Sequence, residues 1–309
     1  MARKRKGNKI DGWLVIDKPL EMGSTQVVGK VRWLTKAQKV GHGGTLDPLA
    51  TGILPIALGE ATKTIPFIMD ARKTYAFTVR WGIARTTDDR EGDICATHDH
   101  RPCEADILAA LPGFIGRIKQ RPPAYSAIKV DGKRSYDLAR AGEEVVLKER
   151  EIDVFSLRLL SAEAEEATFE VDCGKGTYIR SLARDLALKL GTVGHVTMLR
   201  RLKVGSFGLK ESISLVKLEE LSHSAPPEEW ILPVETVLDD ILALAVTEDQ
   251  AAFLSQGRKL AVPGPVAPGL VRIMCGPRLV ALAQAEADKT RMEKPEEQVI
   301  LRPVRVFNI

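Results

Sequence analysis

Asp47 is the only carboxylate between Gly41 and Gly59 in the run GHGGTLDPLATGILPIALGEATK, residues 41–63, where its neighbours are mostly glycines, small polar residues and aliphatics. An Asp-Pro step in a glycine-rich loop is ordinarily no more than a turn. Here the glycines would also let the backbone approach a ligand closely. Leu46, Leu49, Ile53 and Leu54 can wall such a loop with apolar surface, so Asp47 is a candidate nucleophile held away from water. Desolvation raises the pKa of a carboxyl group, and a nearby cation is needed to keep it ionised near neutral pH. Arg180 is a candidate for that cation, although nothing in the linear sequence pairs the two.

Other residues with chemical potential are weaker. CATHDHRPC (95–103) gathers Cys95, His98, His100 and Cys103, but four ligands within nine residues would demand a much tighter loop than the separated pairs of common zinc sites. A polar hairpin edge is the expected role, with no metal. GKGT (174–177) lacks the upstream glycine of a phosphate loop, and a strand-turn-helix needs its glycines anyway. Tyr75 falls on an aromatic strand face, where it either packs or stacks on a base. His42 precedes Gly43 and Gly44 as a loop histidine, with no Ser/His/Asp arrangement around it.

These residues need elements to position them. GWLVIDKP (12–19) reads as a buried strand ending at a proline turn. Ser24 is placed to N-cap a helix that turns Val27, Val28, Val31 and Leu34 inward and carries Lys30, Arg32, Lys36 and Lys39 outward. KTYAFTVRWG (73–82) alternates strictly, with Tyr75, Phe77, Val79 and Trp81 on one face. ATFEVDC (167–173) alternates again and turns at GKG. Thr177 then opens a helix with the stripe Ile179, Leu182, Leu186 and Leu190, closed by Gly191, so Tyr178 and Arg180 fall in its first turn. GHVTMLRRLKVGSF (194–207) is a further strand with a basic middle, and a charged helix around KLEEL follows. Residues 116–150 combine prolines, a DG turn, a Ser135-capped helical piece and many Lys and Arg residues into a basic insertion. HSAPPEEWILP (223–233) marks a boundary. From about 245 a short helix and the runs GLVRIMCG, PRLVALAQAEA and VILRPVRVF predict a small, mostly β module.

Length and composition set the frame. A chain of 309 residues can bury an ordinary core without disulfide or metal staples. With 44% hydrophobic and 28% charged residues, and no apolar run long enough to span a bilayer, a soluble protein with no membrane association is expected. The basic start lacks the apolar core of a secretory signal, and the four cysteines form no CxxC pair, so a reducing, cytoplasmic location is expected. The net charge of +4 is concentrated in Arg3, Lys4, Arg5, Lys6 and Lys9, leaving the rest near neutral. Any nucleic-acid surface must therefore be local, built from this tail, the insertion, or Arg200, Arg201 and Lys203.

Taken together, these residues resemble the tRNA pseudouridine-55 synthases of the bacterial TruB type, which isomerise a uridine in the T-loop of tRNA. The family signature GH-x-G-x-LDP-x-A-x-G-x-L, followed by GEATK, is filled at every fixed position from Gly41 to Leu54 and from Gly59 to Lys63. GWLVIDKP, KTYAFTVRWG, PPAYSAIKVDGKRSYDLARAG, CGKGTYIRSLARDLALKLG and HVTMLRRL stand in the family's order, so the resemblance spans about residues 10–220.

The resemblance implies an α+β pseudouridine-synthase fold, a mixed and mostly antiparallel sheet with flanking helices. It implies a catalytic domain over 10–235 with an inserted thumb at about 122–151, a PUA-like RNA-binding module over 245–309, and a basic, disordered tail over 1–9. Asp47 would be the catalytic aspartate and Arg180 its partner, with Tyr75 against the target base. Tyr178 and Leu199 would line the base pocket, His42 would meet the rearranged T-loop, and Lys63 would anchor the motif or an RNA phosphate. The implied partner is the tRNA T-arm, met by a monomer with no cofactor and no obligate protein partner. The reaction detaches uracil at N1, turns it and rejoins it through C5, which requires the nucleotide to be flipped out of its loop. Two other readings use the same residues. One is a glycoside-cleaving enzyme with Asp47 as nucleophile, for which the motifs offer no paired general acid. The other is a non-catalytic tRNA-binding or chaperone protein.

Overall fold

The computed structural model describes residues 7–126, 128–130, 132–141, 147–287 and 298–309. Its larger sheet runs in the order Gly12–Lys18, Ala50–Leu58, Gly194–Val204, Lys73–Trp81, Glu166–Cys173, Arg150–Ala162 and Gly116–Gln120, with Val40–His42 paired to Ala50–Leu58. All neighbours are antiparallel except one short parallel contact, in which Leu199, Arg200 and Arg201 lie beside Ala50, Thr51 and Gly52.

Residues 50–58 form a strand buried on both faces, which explains an almost unbroken aliphatic run in place of alternation. Ile53 and Ala57 pack with Trp13, Val15 and Phe207, while Leu54, Ile56 and Leu58 pack with Leu14, Val27 and Val31. The glycine-rich loop expected from the sequence is therefore only a turn over 43–49. Ile53 and Leu54 have no exposure and are core residues, not cleft walls. The neighbouring strand Gly12–Lys18 ends the sheet, yet its free edge is covered: Trp13 exchanges backbone bonds of 2.7 Å with Leu232, and Ile213 bonds Val15 and Asp17 at 2.9 Å.

At Gly52 the strand Ala50–Leu58 loses its parallel neighbour, and the same side is taken up further on by Val40–His42. The turn carrying Asp47 sits in this parting. Gly52 is required there: its φ is +100°, and a Cβ would lie 2.1 Å from the Arg201 carbonyl oxygen.

The strand Lys73–Trp81 sends Phe77, Val79 and Trp81 into a third cluster, where Phe77 stacks on Phe169 at 5.3 Å. The helix Ile179–Lys189 closes that cluster with Ile179, Leu182 and Leu186, the expected stripe. Its first residue is Ile179, two later than the sequence indicated, because Tyr178 is extended (φ −100°, ψ 113°).

Part of the predicted insertion is visible as the pairing of Lys129–Val130 with Lys133–Arg134 and the helix Ser135–Arg140. Its Ala127, Asp131 and residues 142–146 lie outside the described residues. So do residues 1–6 of the tail. Asn8 departs from the expected disorder: its backbone NH donates to Lys36 O at 2.8 Å and its side chain to Thr35 O at 3.0 Å.

The C-terminal β module orders its strands as Ala243–Ala245, Gly269–Cys275, Arg278–Ala287, Gln298–Val306 and Leu260–Pro263. Its helix Glu248–Ser255 starts with a capping box from Thr247 and Gln250. One apolar cluster joins this module to the larger sheet, uniting Leu279, Leu282 and Phe307 with Trp13, Ile53 and Phe207. Among the described residues no helix is long and apolar enough to cross a membrane.

Candidate active site

Asp47 and Arg180 meet. Arg180 Nη2 lies 3.0 Å from Asp47 Oδ2, and Nη1 lies 3.5 Å from Asp89 Oδ2. The guanidinium also donates to the carbonyls of Thr87 at 2.8 Å and Tyr125 at 2.9 Å. Arg180 is 5% exposed, so these bonds are made in a poorly solvated setting that strengthens them. Asp47 is less enclosed than the sequence reading supposed. Its side chain is 42% exposed, because the turn opens onto a cleft.

The turn is fixed from three directions. Ser24 was expected to cap its helix. Instead it is the first helical residue after Gly23, and its hydroxyl bonds both the NH and the carbonyl of Leu46, at 2.8 and 2.9 Å. A pair of tertiary hydrogen bonds thus takes the place of the expected local cap. Lys18, with no exposure, donates to the carbonyls of Pro19, Met22 and Pro48 at 2.8, 2.6 and 3.2 Å. Arg201 fills the parting of the strands and donates to Ile53 O at 2.7 Å, Gly44 O at 3.0 Å and Thr45 O at 3.4 Å.

Two of the three basic residues of the Gly194–Val204 strand are committed to contacts within the protein. Arg201 is 1% exposed and bound to the Asp47 turn. Arg200 is engaged by Asp17 at 2.7 Å. The glycines change meaning too, since a Cβ on Gly43 would collide with Ile68 at 2.5 Å. It packs against protein and does not make room for a ligand.

Asp47 stands where two clefts join. One, of about 320 Å³, is lined by Tyr75, Tyr178, Leu199, Arg150 and Arg201 as well as Asp47 and Arg180. The other, about 730 Å³, is lined by His42, Thr87, Asp89, Tyr125 and the start of the Ser24–Thr35 helix. Both volumes lie in the range of ligand-binding clefts. Tyr75, Tyr178 and Leu199 are thus brought together on one side of Asp47, and His42 stands on the other. Tyr178 is held by Gln120, which accepts its NH at 2.9 Å and donates to its carbonyl at 3.1 Å. The Arg150 guanidinium lies 4.9 Å from the centre of the Tyr178 ring.

Lys63 is placed elsewhere. It pairs with Glu60 and donates to Val306 O at 2.6 Å, tying GEATK to the C-terminal module. This position is compatible with the first of its two expected roles, the anchor of the motif.

Burial dominates the electrostatics, and the Arg201 charge contributes at each group. Burial pushes Lys18 down to about 8, with Asp47 opposing and the Arg201 charge adding to the shift. Lys73, at the rim of the smaller cleft, is likewise pushed to about 8 by burial and Arg201. Burial and then Arg201 lower His42, leaving its imidazole neutral at pH 7, and its buried Nδ1 has no hydrogen-bond partner among the described residues. Burial raises the Tyr75 phenol, while Arg201, its cross-strand neighbour, pulls the other way.

Residues 32–179 match the TruB family pseudouridylate synthase N-terminal domain. Residues 180–239 match the tRNA pseudouridylate synthase B C-terminal domain. The chain belongs to the TruB family of pseudouridylate synthases. Asp47 and Arg180 thus come from separately matched segments. The tRNA pseudouridine synthase B of Caulobacter vibrioides is 51% identical to this TruB chain over 320 residues, covering all of both. That of Rhodospirillum rubrum is 48% identical over 319 residues, again covering all of both. A chain in the crystal structure of a Cbf5-Nop10-Gar1 complex is 28% identical with a TM-score of 0.71, over 96% of this chain and 84% of its own length.

The sequence reading did not single out Lys18, Asp89 or Gln120, and it gave Ser24 and Arg201 other roles. Asp89 also removes one argument used against a glycoside-cleaving enzyme, because a second carboxylate does stand beside Arg180. Membership of the TruB family is what disfavours that alternative.

Proposed function

We propose that this TruB enzyme converts uridine 55 in the T-loop of tRNA to pseudouridine, acting as a single chain in the cytoplasm. The observation that carries this reading is the Asp47–Arg180 pair at the junction of two clefts. It stands in a chain 51% identical, end to end, to a tRNA pseudouridine synthase B.

The target nucleotide leaves the loop and enters the smaller cleft, with Tyr75 against the base and Tyr178 and Leu199 as walls. Unstacking costs a few kcal/mol, offset by stacking and backbone contacts. Asp47, aimed by Arg180, is the nucleophile, and both C6 of the base and C1′ of the ribose are electrophiles open to it. On either route the N1–C1′ bond breaks and its electron pair goes to N1. The base turns and C5 bonds C1′, displacing the Asp47 carboxylate on the C1′ route; on the C6 route the carboxylate leaves C6 as the C5 proton is lost. The C5 proton is then lost, with Tyr75 placed to assist, and N1 takes up a proton. The exchange is redox-neutral and uses no cofactor. His42, neutral and across Asp47 from the base pocket, faces the part of the loop the base has vacated. The position of Lys18, Ser24 and Arg201 supports a carboxylate set in place before substrate arrives.

The test is isomerisation of an unmodified tRNA transcript labelled with tritium at uracil C5, together with carbodiimide mapping of the product. Tritium release with pseudouridine at position 55, abolished in Asp47→Asn while tRNA binding persists, is the expected result. Binding without any pseudouridine would favour a chaperone. Free uracil in the supernatant would favour glycoside cleavage.

A further inference from the structure

Asn8 and the polar side of the Ser24–Thr35 helix have no part in the chemistry above, yet they form one continuous feature. The helix begins at the larger cleft, where Ser24, Thr25 and Gln26 are part of the lining. Its outer face then carries Gly29, Arg32, Trp33 and, just past its end, Lys36, all exposed, with Arg32 and Trp33 each three or four residues from both Gly29 and Lys36. From Gln26 to Lys36 this face runs roughly 15 Å at the rise of an α-helix.

Trp33 is 65% exposed, whereas Trp13 and Trp81 have no exposure. The Lys30 ammonium lies 4.7 Å from the centre of the Trp33 ring. Lys30 has its counter-charge in Glu219 at 3.0 Å, but Arg32 and Lys36 enter no ion pair among the described residues. At the far end the backbone of Asn8 bonds Lys36 O at 2.8 Å and Gln38 NH at 3.1 Å. That fixes Gly7 beside Lys36, and the residues directly before it in sequence are Arg3, Lys4, Arg5 and Lys6. The stripe therefore runs from the catalytic cleft to the contact of Asn8 with Lys36 and Gln38.

The geometry points to this stripe as a second RNA contact, in which Arg32 and Lys36 take backbone phosphates of the bound RNA and Trp33 packs on its sugar or base face. The inference rests on the reading of the substrate as RNA. An exposed aromatic among unpaired cations suits a polyanion with stacking surfaces. Continuity with the cleft means that one RNA can occupy both.

Iodide quenching of tryptophan fluorescence reads Trp33 chiefly, since Trp13 and Trp81 are buried and Trp230 is half-buried against the core. Saturating unmodified tRNA should protect the wild type, and Trp33→Phe should abolish the protectable fraction. The Arg32→Gln/Lys36→Gln variant should weaken tRNA binding by roughly three- to tenfold near 0.15 M salt. It should also lower the slope of log K against log salt by about 1.5–2, at nearly one unit per phosphate contact. Turnover at saturating tRNA should be unchanged in all of these variants. Unaltered iodide access with tRNA bound, unchanged affinity and slope in the double variant, or a fall in turnover alone would each overturn the inference. Protection of Trp33 that grows with protein concentration without RNA would mark a self-association face and also overturn it. Failure of the wild type to make pseudouridine would instead strike the proposed function, which the labelled-tRNA assay reports separately.

Discussion

Replacing Arg180 by methionine keeps most of the volume and removes every donor. The bond to Asp47, at 3.0 Å, is charge-assisted and made by a group 5% exposed. Hydrogen bonds to charged groups are worth about 1.5–3 kcal/mol. At 1.36 kcal/mol per tenfold, losing that support in the transition state slows the reaction by roughly 10- to 150-fold. The carbonyls of Thr87 and Tyr125 are released at the same time. The wall around Asp47 then loosens, and misplacement multiplies the loss, so a fall in kcat on the order of 1,000-fold is expected. Affinity for tRNA should stay within about threefold, because a buried guanidinium does not meet the RNA backbone. Asp89 keeps the Thr87 hydroxyl at 2.5 Å and the Glu91 NH at 2.9 Å, which limits the destabilisation to about 2–4 kcal/mol. Single-turnover tritium release, run below the melting transition seen by circular dichroism, gives the rate, and filter binding gives the affinity. Equal losses in rate and affinity, or a rate within tenfold of wild type, would refute the assignment of Arg180 to Asp47.

Other outcomes follow from the same contacts. Ser24→Ala removes both bonds to Leu46 and should lower kcat about tenfold at little cost in tRNA affinity, whereas Ser24→Thr, with a hydroxyl retained, should recover part of the rate. Lys63→Met should lower the melting temperature while leaving turnover of the folded enzyme intact, since Lys63 joins Glu60 to Val306. Burial raises Asp88 from 3.8 to about 6, so between those pH values the folded protein holds a proton that the unfolded chain has lost. This group's contribution to stability therefore falls as pH rises through that window, by at most about 3 kcal/mol at 1.36 kcal/mol per unit. Asp88→Asn should gain melting temperature relative to wild type on going from pH 4 to pH 7, and parallel pH profiles would contradict the shift.

Asp47 and Arg180 were legible because chemistry demanded a cation and the family motif supplied one. The strands Lys73–Trp81 and Glu166–Cys173 were legible because one face is buried and one is not. Residues 50–58 were not, since burial on both faces erases the alternation and leaves an aliphatic run that reads as loop wall. The cradle of the active turn was invisible for a different reason. Ser24 has the residue type and place of a helix cap, and nothing local reveals that Leu46 competes for its hydroxyl. Arg201 looks like an RNA contact beside Arg200 and Lys203, and only the parallel register with Ala50–Gly52 drives it inward.

The apolar cluster shared by the two sheets has a bearing on how the protein is made. Leu279, Leu282 and Phe307 leave the ribosome long after Trp13, Ile53 and Phe207, the side chains they cover. Throughout most of translation the nascent enzyme carries a bare greasy flank beneath the strand that follows Asp47. The C-terminal module is thus the lid that completes the catalytic half, and a fragment ending near residue 240 should be sticky and short-lived even though it holds every reacting side chain.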